Sequence, residues 1–303
     1  MTNPLQAEKI AVVGANGFIG SHLVNLLSSE SRNFYSFTRE SPFDCEDLDF
    51  FKDFSCVVWC ATSINPYISN VDSKSNLNEI DNWKNFLKQY QRLSSNGFNP
   101  RIILLSSGGC VYPDTTPPFK EDLDGIPVNI YGQVKKEMES LAQQSISNLA
   151  ILRLSNVYGP GQPTGVGQGV IAEWIYKVLQ GIPIEIYGKL DSFRDFIFVD
   201  DVVQAILLSI NSNDRLILNI GSGGGTRLEI LLNTISELTG VVPVTNSMPS
   251  RKVDRIGYWL DISDARKILG WTPKISLIEG TRRLIDFEKN KAPKDQIVSD
   301  SSS

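Results

Sequence analysis

Two residues one helical turn apart, Tyr131 and Lys135, form a Tyr-x-x-x-Lys pair that could move a proton. Residues four apart on a helix lie on the same face, so the phenol and the ammonium can approach each other. A free tyrosine has a pKa near about 10, which is too high for it to accept a proton readily at neutral pH. A neighbouring positive charge favours the phenolate and is expected to lower that pKa. The pair therefore predicts a tyrosine that exchanges a proton with a substrate hydroxyl.

A glycine-rich turn, GANGFIG, lies far upstream between an apolar segment and a helical one. In such a turn Gly14 permits the tight bend, Gly17 lets a pyrophosphate approach the backbone, and Gly20 lets helix and strand pack closely. The N-terminus of the following helix favours anions. Together with the Tyr-x-x-x-Lys pair, the turn predicts redox chemistry on a bound nicotinamide. The predicted cofactor-binding residues are Gly14, Asn16, Gly17, Phe18, Ile19, Gly20, Arg39, Asp47, Leu48, Ala61, Tyr131 and Lys135.

The end of the second predicted strand bears on which nicotinamide cofactor binds, because an acid there would accept the ribose hydroxyls of NAD. Arg39 in that position would instead pair with the 2′-phosphate of NADP. Glu40, one residue later, could still serve as the acid, and Asp47 and Leu48 could cover the adenine ring. The sequence therefore predicts NAD or NADP, and Arg39 favours NADP.

Apolar segments alternate with helical ones through the first half of the chain. Segments that are apolar throughout are typical of strands buried on both faces of a parallel sheet. This alternation predicts an α/β fold with a Rossmann-type doubly wound parallel sheet. The predicted strands are residues 9–14, 34–38, 55–61, 101–106 and 149–154, and the predicted helices are residues 17–27, 76–93 and 131–144.

The pattern changes after Tyr158, where a glycine-rich loop begins. Residues 1–158 are predicted to form mainly the nucleotide-binding domain. Residues 159–288 are predicted to form mainly a smaller C-terminal α/β lobe for the substrate, with some elements returning to the first domain. Residues 289–303 are polar and poor in apolar side chains, and they are predicted to be a disordered tail.

The composition excludes several other classes of protein. The 303 residues carry a net charge of -5 with a pI near 5.1, and they contain no basic run, which argues against a nucleic-acid partner. No apolar stretch approaches the about 18 residues of a membrane span, and the N-terminus does not have the form of a signal peptide. The four cysteines lack the spacing of metal ligands. The sequence thus predicts a cytoplasmic protein with reduced thiols, no metal and no membrane partner.

Five motifs, taken in order, resemble the extended short-chain dehydrogenase/reductase family that acts on nucleotide sugars, in particular its UDP-glucose 4-epimerase-like group. They are GANGFIG, LLSSGGCVY, YGQVK, LRLSNVYGPG and RDFIFVDDV, and the resemblance extends from about residue 9 to 273. It implies a nicotinamide domain, a C-terminal nucleotide-sugar lobe and an active site between them. It also implies a homodimer formed through the two long helices predicted at residues 76–93 and 131–144.

The resemblance assigns catalytic roles to individual residues. It implies Tyr131 as the acid/base, and Lys135 as the group that adjusts its pKa and binds the nicotinamide ribose. The family's third catalytic residue is a Ser or Thr three places before a Val-Tyr pair, and that position holds Gly108 here. Ser107, one residue earlier, is predicted to supply the missing hydroxyl if the loop is shifted.

The resemblance also implies residues that bind the substrate. Asn156 is expected near the diphosphate, and Arg194 is similar to the family's phosphate-binding arginine, whose planar donors suit two phosphates. In the segment SRKVDRIGYWLD, Arg251 and Asp254 resemble the Arg-x-x-Asp of UDP-glucose 4-epimerases, which holds phosphate and ribose.

These assignments leave several activities open. The Arg251/Asp254 segment favours a nucleotide-sugar 4-epimerase, and Arg39 favours an NAD(P)H-dependent reductase of 4-keto sugar nucleotides. A 4,6-dehydratase needs an acidic pair after the catalytic hydroxyl, where this chain has Gly109 and Cys110. A non-catalytic NADP sensor would typically lack the Tyr-x-x-x-Lys pair. The sequence therefore predicts an epimerase first and a reductase second.

Overall fold

A six-stranded parallel sheet organises the structure, a computed structural model that describes residues 9–43, 51–165, 169–249 and 257–291. Its strands are β1 (Lys9–Val13), β2 (Asn33–Phe37), β3 (Cys56–Trp59), β4 (Arg101–Ser107), β5 (Leu149–Leu154) and β10 (Leu216–Ile220). Their order across the sheet is β10-β5-β4-β3-β1-β2, and all neighbours run parallel. The predicted doubly wound α/β fold is confirmed.

The other elements surround this sheet or extend from it. The helices are α1 (Phe18–Ser29), α2 (Pro66–Val71), α3 (Ser73–Ser94), α4 (Ile130–Ser145), α5 (Val170–Leu179), α6 (Val199–Ile210), α7 (Leu228–Thr239), α8 (Ser263–Leu269) and α9 (Leu277–Lys291). The short strands are β6 (Asn156–Tyr158), β7 (Ile184–Tyr187), β8 (Phe193–Arg194), β9 (Phe196–Phe198), β11 (Thr226–Arg227) and β12 (Thr245–Met248). None of the described helices is long and apolar enough to cross a membrane.

Both faces of the sheet are covered by helices, which explains why its strands are apolar throughout. In β1, Ile10 and Val12 belong to a core cluster that also contains Leu23 of α1 and residues of α6. The alternate residues of the same strand join a second cluster that contains Trp83 of α3 and Met138 of α4. Successive side chains of a strand point to opposite faces, so each strand contributes to two cores.

The direction of the strand order reverses at β1, which has β2 on one side and β3 on the other. In open α/β sheets, ligands bind in the crevice outside the carboxyl ends of the strands at such a reversal. Gly14 follows β1 directly and Ala61 follows β3 by two residues. The fold therefore brings the glycine turn and the segment after β3 to one crevice.

Two elements differ from the simple division of the chain at residue 158. Strand β10 lies beyond that position and nevertheless pairs with β5 in the main sheet. Helix α9 continues to Lys291, so the boundary predicted between the C-terminal lobe and the tail, at residue 289, is three residues too early. Lys289 and Lys291 lie in its last turn, where positive charge favours the helix dipole. Residues 292–303 lie outside the described part of the chain.

A buried polar network fastens α4 to the sheet. Glu139, which is fully buried, accepts hydrogen bonds from Ser106 Oγ at 2.6 Å and from Arg153 Nη2 at 2.7 Å. Arg153 also donates to the Tyr112 hydroxyl at 3.0 Å, which in turn donates to Asn219 Oδ1 at 2.6 Å. Charged groups in a core need such partners. The network fixes the helix that carries Tyr131 relative to β4, β5 and β10.

Candidate active site

One large cavity of about 1870 Å³ lies between the carboxyl edge of the main sheet and the C-terminal elements. It extends from the glycine turn past Tyr131 to the short strands β8 and β9. Eleven of the predicted site residues line it: Gly14, Asn16, Gly17, Phe18, Ile19, Arg39, Ala61, Ser107, Tyr131, Asn156 and Arg194. Gly20 and Lys135 lie behind its wall, and Asp47, Leu48, Arg251 and Asp254 lie outside the described residues.

The backbone is packed so closely at the glycine turn before α1 that Gly14 and Gly20 could not carry side chains. Gly14 has a φ of +87°, and a Cβ built on it would lie 2.7 Å from the Ala61 backbone. A Cβ on Gly20 would overlap the Gly14 carbonyl, so this glycine allows the close packing of helix and strand. The backbone N–H groups of Gly14 and Ala15 both donate to the Phe37 carbonyl, at 2.9 and 3.0 Å. The turn is thus shaped by close backbone contacts.

The start of α1 is suited to a phosphate. The helix begins at Phe18, and its cap residue Gly17 offers no side chain to the first N–H groups. These donors and the helix dipole favour an anion beside the turn. The residues present therefore fit the pyrophosphate of a dinucleotide, with Gly14, Asn16 and Gly17 on the cavity wall.

The rim near β2 carries both of the groups that distinguish NAD from NADP. Arg39 and Glu40 are exposed, and both line the cavity. Thr38 Oγ1 donates to the Glu40 carboxylate at 2.8 Å. Hydrogen bonds from its own backbone and from Thr38 hold the pKa of Glu40 below its usual value, so the carboxylate stays charged. A negative and a positive side chain are therefore available to an adenosine ribose.

The helix that carries Tyr131 is held against the loop after β4. Asn129 caps it: its Oδ1 accepts the N–H of Gly132 at 2.8 Å, and its Nδ2 donates to Cys110 Sγ at 3.6 Å. A Cβ on Gly132 would overlap the Cys110 carbonyl. This close approach places Tyr131 beside the loop, where Tyr131, Asn129 and Cys110 share the cavity wall. The cap residue was not predicted, although Asn before a helix is a frequent signal.

The amine of Lys135 is buried and ion-paired. Its Nζ lies 3.0 Å from Glu79 Oε1, 3.3 Å from Thr62 Oγ1 and 5.7 Å from the centre of the Tyr131 ring. Glu79, on α3, was not predicted from the sequence. The two side chains are only 4% and 6% exposed, so an unpaired charge at either position would be costly.

The expected lowering of the Tyr131 pKa is not found in the protein alone. Burial raises the pKa of Tyr131 far above its ordinary value, and electrostatic interactions with Cys110 and Glu79 raise it further. The prediction left out the burial of the phenol, which is the larger effect, and the Glu79 counter-ion of Lys135. Because Glu79 neutralises that ammonium, the phenol does not experience a bare positive charge.

The loop after β4 explains why the family's hydroxyl position is a glycine. A Cβ on Gly108 would lie 2.6 Å from Leu260 Cδ1, and one on Gly109 would overlap the Tyr258 hydroxyl. A side chain at either position would therefore require Leu260 or Tyr258 to move. Ser107 ends β4 and lines the cavity, and its carbonyl accepts the N–H groups of Cys110 at 3.2 Å and Val111 at 3.0 Å.

Two predicted substrate residues stand opposite the glycine turn. Asn156 Nδ2 donates to the Tyr258 hydroxyl at 2.7 Å and to the Asp195 carbonyl at 2.9 Å. Arg194 is half-buried on the cavity wall, and its Nη1 donates to the Phe193 carbonyl at 2.9 Å. These contacts orient an amide and a guanidinium at the same end of the cavity.

A fully buried carboxylate fixes the strand that carries Arg194. Asp195 accepts hydrogen bonds from the N–H and the hydroxyl of Ser222, both at 2.7 Å, and from the N–H of Leu260 at 3.0 Å. Asp195 was not predicted to have a role, since its partners are distant in sequence. It joins β8 to the segment that contributes Tyr258.

Fold and site together define a Rossmann-type protein whose cavity joins a glycine turn suited to a dinucleotide with Tyr131 of the Tyr-x-x-x-Lys pair and, at its other end, with Arg194. The sequence profile of the NAD dependent epimerase/dehydratase family matches residues 10–221. The chain belongs to this family, as the resemblance predicted, and its cofactor is a nicotinamide dinucleotide, NAD or NADP.

Individual relatives agree with this membership. The chain is 34% identical over 236 residues to a dTDP-4-dehydro-6-deoxyglucose reductase of Escherichia coli, covering 76% of this chain and 73% of the relative. It is 26% identical over 306 residues to a UDP-glucose 4-epimerase of Mycolicibacterium smegmatis, covering 96% and 95%. Among solved structures, MoeE5 in complex with UDP-glucose and NAD superposes with a TM-score of 0.83 at 29% identity, covering 93% of this chain and 99% of that one.

Proposed function

We propose that the protein is a nucleotide-sugar 4-epimerase that oxidises C4 of its substrate transiently and returns the hydrogen to either face. The observation that carries this proposal is one continuous cavity that holds the glycine turn, Tyr131, Asn156 and Arg194. A cofactor and a nucleotide sugar can therefore lie in the same cavity. The solved complex of MoeE5 with UDP-glucose and NAD, a similar protein, supports this arrangement.

Each end of the cavity has a distinct task. Gly14, Asn16 and Gly17 bind the pyrophosphate of the cofactor. The resemblance assigns the nicotinamide ribose to Lys135, whose amine is paired with Glu79 behind the cavity wall and would have to move to reach it. Arg194 pairs with the substrate diphosphate, because a guanidinium can bind two phosphate oxygens at once. The resemblance assigns Asn156 to the same group, and its Nδ2 would have to exchange its hydrogen bond to Tyr258 or Asp195 for one to a phosphate oxygen. Binding at both ends holds the sugar carbon between them near Tyr131.

Tyr131 moves the proton. When bound, the nicotinamide supplies reversible hydride transfer. Tyr131 must enter this step as the phenolate, a form that burial disfavours in the protein alone and that a bound, positively charged nicotinamide would favour. The phenolate would then accept the proton of the C4 hydroxyl as the carbonyl forms and return it when the hydroxyl is restored. Ser107 is proposed to hydrogen-bond the same substrate oxygen. Epimerisation requires the keto sugar to rotate within the site. The contacts to the sugar ring must therefore be few enough to allow two orientations.

A reductase is the second candidate, and two observations favour it. The E. coli relative at 34% identity is a reductase of a 4-keto sugar nucleotide. Arg39 lines the cavity rim and could bind the 2′-phosphate of NADPH. Such an enzyme would use Tyr131 only to donate a proton to the carbonyl oxygen, and it would exchange its cofactor in every cycle.

The loop after β4 disfavours a 4,6-dehydratase. Gly109 and Cys110 occupy the positions where the resemblance requires an acidic pair. The space next to Gly109 is filled by the Tyr258 hydroxyl, so an acidic side chain would not fit there without displacement. A non-catalytic sensor is disfavoured by the intact Tyr131 and Lys135.

The first test is whether the purified protein retains its cofactor. An epimerase regenerates its cofactor within each cycle, so we expect NAD to be released on denaturation and identified by absorbance and mass spectrometry. A panel of UDP-, GDP-, CDP- and dTDP-sugars then identifies the substrate from the stereochemistry of the product. A protein that is purified empty and consumes NADPH stoichiometrically with a 4-keto sugar would be the reductase.

A further inference from the structure

Glu79 is a buried carboxylate to which the proposed reaction assigns no task. It lies on α3, 56 residues from Lys135 in sequence, and its Oε1 is 3.0 Å from the lysine Nζ. Its Oε2 accepts the N–H of Ser63 at 2.8 Å and the Ser63 hydroxyl at 3.0 Å. Glu79 therefore connects the catalytic helix with the segment after β3, and it also reaches the cavity wall.

The Glu79 carboxylate carries its charge despite being buried. Burial by itself would raise its pKa, but the charge of Lys135 and the hydrogen bond from Ser63 outweigh this effect and leave the pKa below its usual value. The pair is therefore a carboxylate and an ammonium in direct contact. Its net charge is zero, whereas Lys135 alone would place one positive charge near the phenol of Tyr131.

The other charged groups around Tyr131 do not neutralise Lys135 as Glu79 does. Beneath the helix, Glu139 is neutralised by Arg153 at 2.7 Å. On the outer side, Glu137 pairs with Lys84 at 3.5 Å, and both are half exposed, where solvent screens them. The charged and titratable groups that act on Tyr131 are Lys135 of its own helix, Glu79 of α3 and Cys110 of the loop after β4. Of the other elements packed on α4, α2 contributes Tyr67 to the same cavity wall, and the arginine at the start of β4, Arg101, donates instead to the Ser209 and Asp214 carbonyls.

We propose that Glu79 is a positioning residue for the proposed reaction, which holds Lys135 through a direct ion pair and neutralises its charge beside Tyr131. The proposal rests on the proposed function insofar as Tyr131 is the acid/base. It assigns two separable effects to Glu79. The carboxylate holds the Lys135 amine in position, and its charge lowers the electrostatic potential at the Tyr131 phenol and at the nicotinamide.

The two effects can be separated by two substitutions, because each substitution is expected to change a different kinetic quantity. Glu79→Gln keeps the shape and removes the negative charge, so Lys135 acts as an uncompensated cation and favours the phenolate. Tyr131 then deprotonates at lower pH, and the acid limb of kcat/KM moves to lower pH by about one unit. Glu79→Asp keeps the charge but withdraws the carboxylate. Its acid limb stays in place while kcat falls about tenfold, because Lys135 is displaced.

Cofactor affinity gives a readout that does not depend on turnover. The oxidised nicotinamide is a cation and the reduced form is neutral. An extra positive charge at Lys135 is therefore expected to weaken NAD⁺ binding relative to NADH binding, by about threefold or more in the ratio of Kd values. Titration calorimetry with each cofactor form, on parent and Glu79→Gln from which the retained cofactor has been removed, measures this ratio. Glu137→Gln, an exposed carboxylate of α4, is the matched control and should change neither the ratio nor the pH profile.

The outcomes separate this proposal from the proposed function. A folded Glu79→Gln variant with an unmoved acid limb, or with an unchanged NAD⁺/NADH preference, overturns the role of Glu79. If that variant does not fold, Glu79→Asp decides, and an unchanged kcat overturns the role. A parent that binds the cofactor but acts on no nucleotide sugar refutes the proposed function, while the ratio of Kd values still tests Glu79.

Discussion

Tyr131 combines a half-buried phenol, whose pKa is raised in the protein alone, with a lysine that is ion-paired to Glu79. Tyr131→Phe removes only the hydroxyl. We expect kcat to fall about 10²–10⁴-fold, the usual contribution of a positioned acid/base, with cofactor affinity retained. Steady-state kinetics and calorimetry check this. Tyr176→Phe, an exposed tyrosine on α5, is the control. Equal activity in parent and Tyr131→Phe would remove Tyr131 from the mechanism.

Gly14 shows how one position supports cofactor binding through the absence of a side chain. Gly14 and Gly97 both have positive φ, of +87° and +82°, but only at Gly14 would a Cβ meet neighbouring backbone. Both alanine variants should lose about 1–2 kcal/mol of unfolding free energy from the backbone conformation. Gly14→Ala should in addition bind the cofactor at least about tenfold more weakly, because the turn must open. Equal affinities for the two variants, measured by calorimetry, would contradict the close approach.

At the scale of elements, α4 is held by the buried pair of Glu139 and Arg153, whose side chains are 0% and 3% exposed. Glu139→Gln leaves the guanidinium without its counter-ion. We expect the free energy of unfolding to fall by about 3–5 kcal/mol in urea denaturation. Glu137→Gln, two residues earlier and half exposed, should lose less than about 1 kcal/mol. Similar losses in both variants would show that the buried network does not stabilise the helix.

The strands of the sheet could be predicted because each is buried on both faces and is therefore apolar throughout. The glycine turn and the Tyr131/Lys135 pair are local patterns, so they too could be predicted from sequence. Glu79 could not, because a single acid on a long polar helix gives no sign of a lysine 56 residues away. The fit of Tyr258 against Gly109 depends on packing between distant segments for the same reason.

At the scale of the whole molecule, the homodimer predicted through the two long helices remains a prediction. In the structure these helices are α3 and α4. Their outer face carries the Lys84–Glu137 pair and, two turns before Lys84, the exposed Leu77. We expect light scattering to give twice the 33.7 kDa of one chain. Leu77→Glu should shift the mass toward the monomer, whereas Ile278→Glu on α9 should not. A parent of monomer mass would refute the dimer.

The central claim is the proposal that the continuous cavity holds a nucleotide sugar beside a retained cofactor for inversion at C4. The most direct test is proton NMR of a nucleotide-sugar panel incubated in D₂O with the purified protein and no added cofactor. We predict inversion at C4 of at least one sugar, with the C4 hydrogen retained, because it is carried within the site. No inversion of any sugar, together with stoichiometric oxidation of NADPH by a 4-keto sugar nucleotide, would contradict the epimerase.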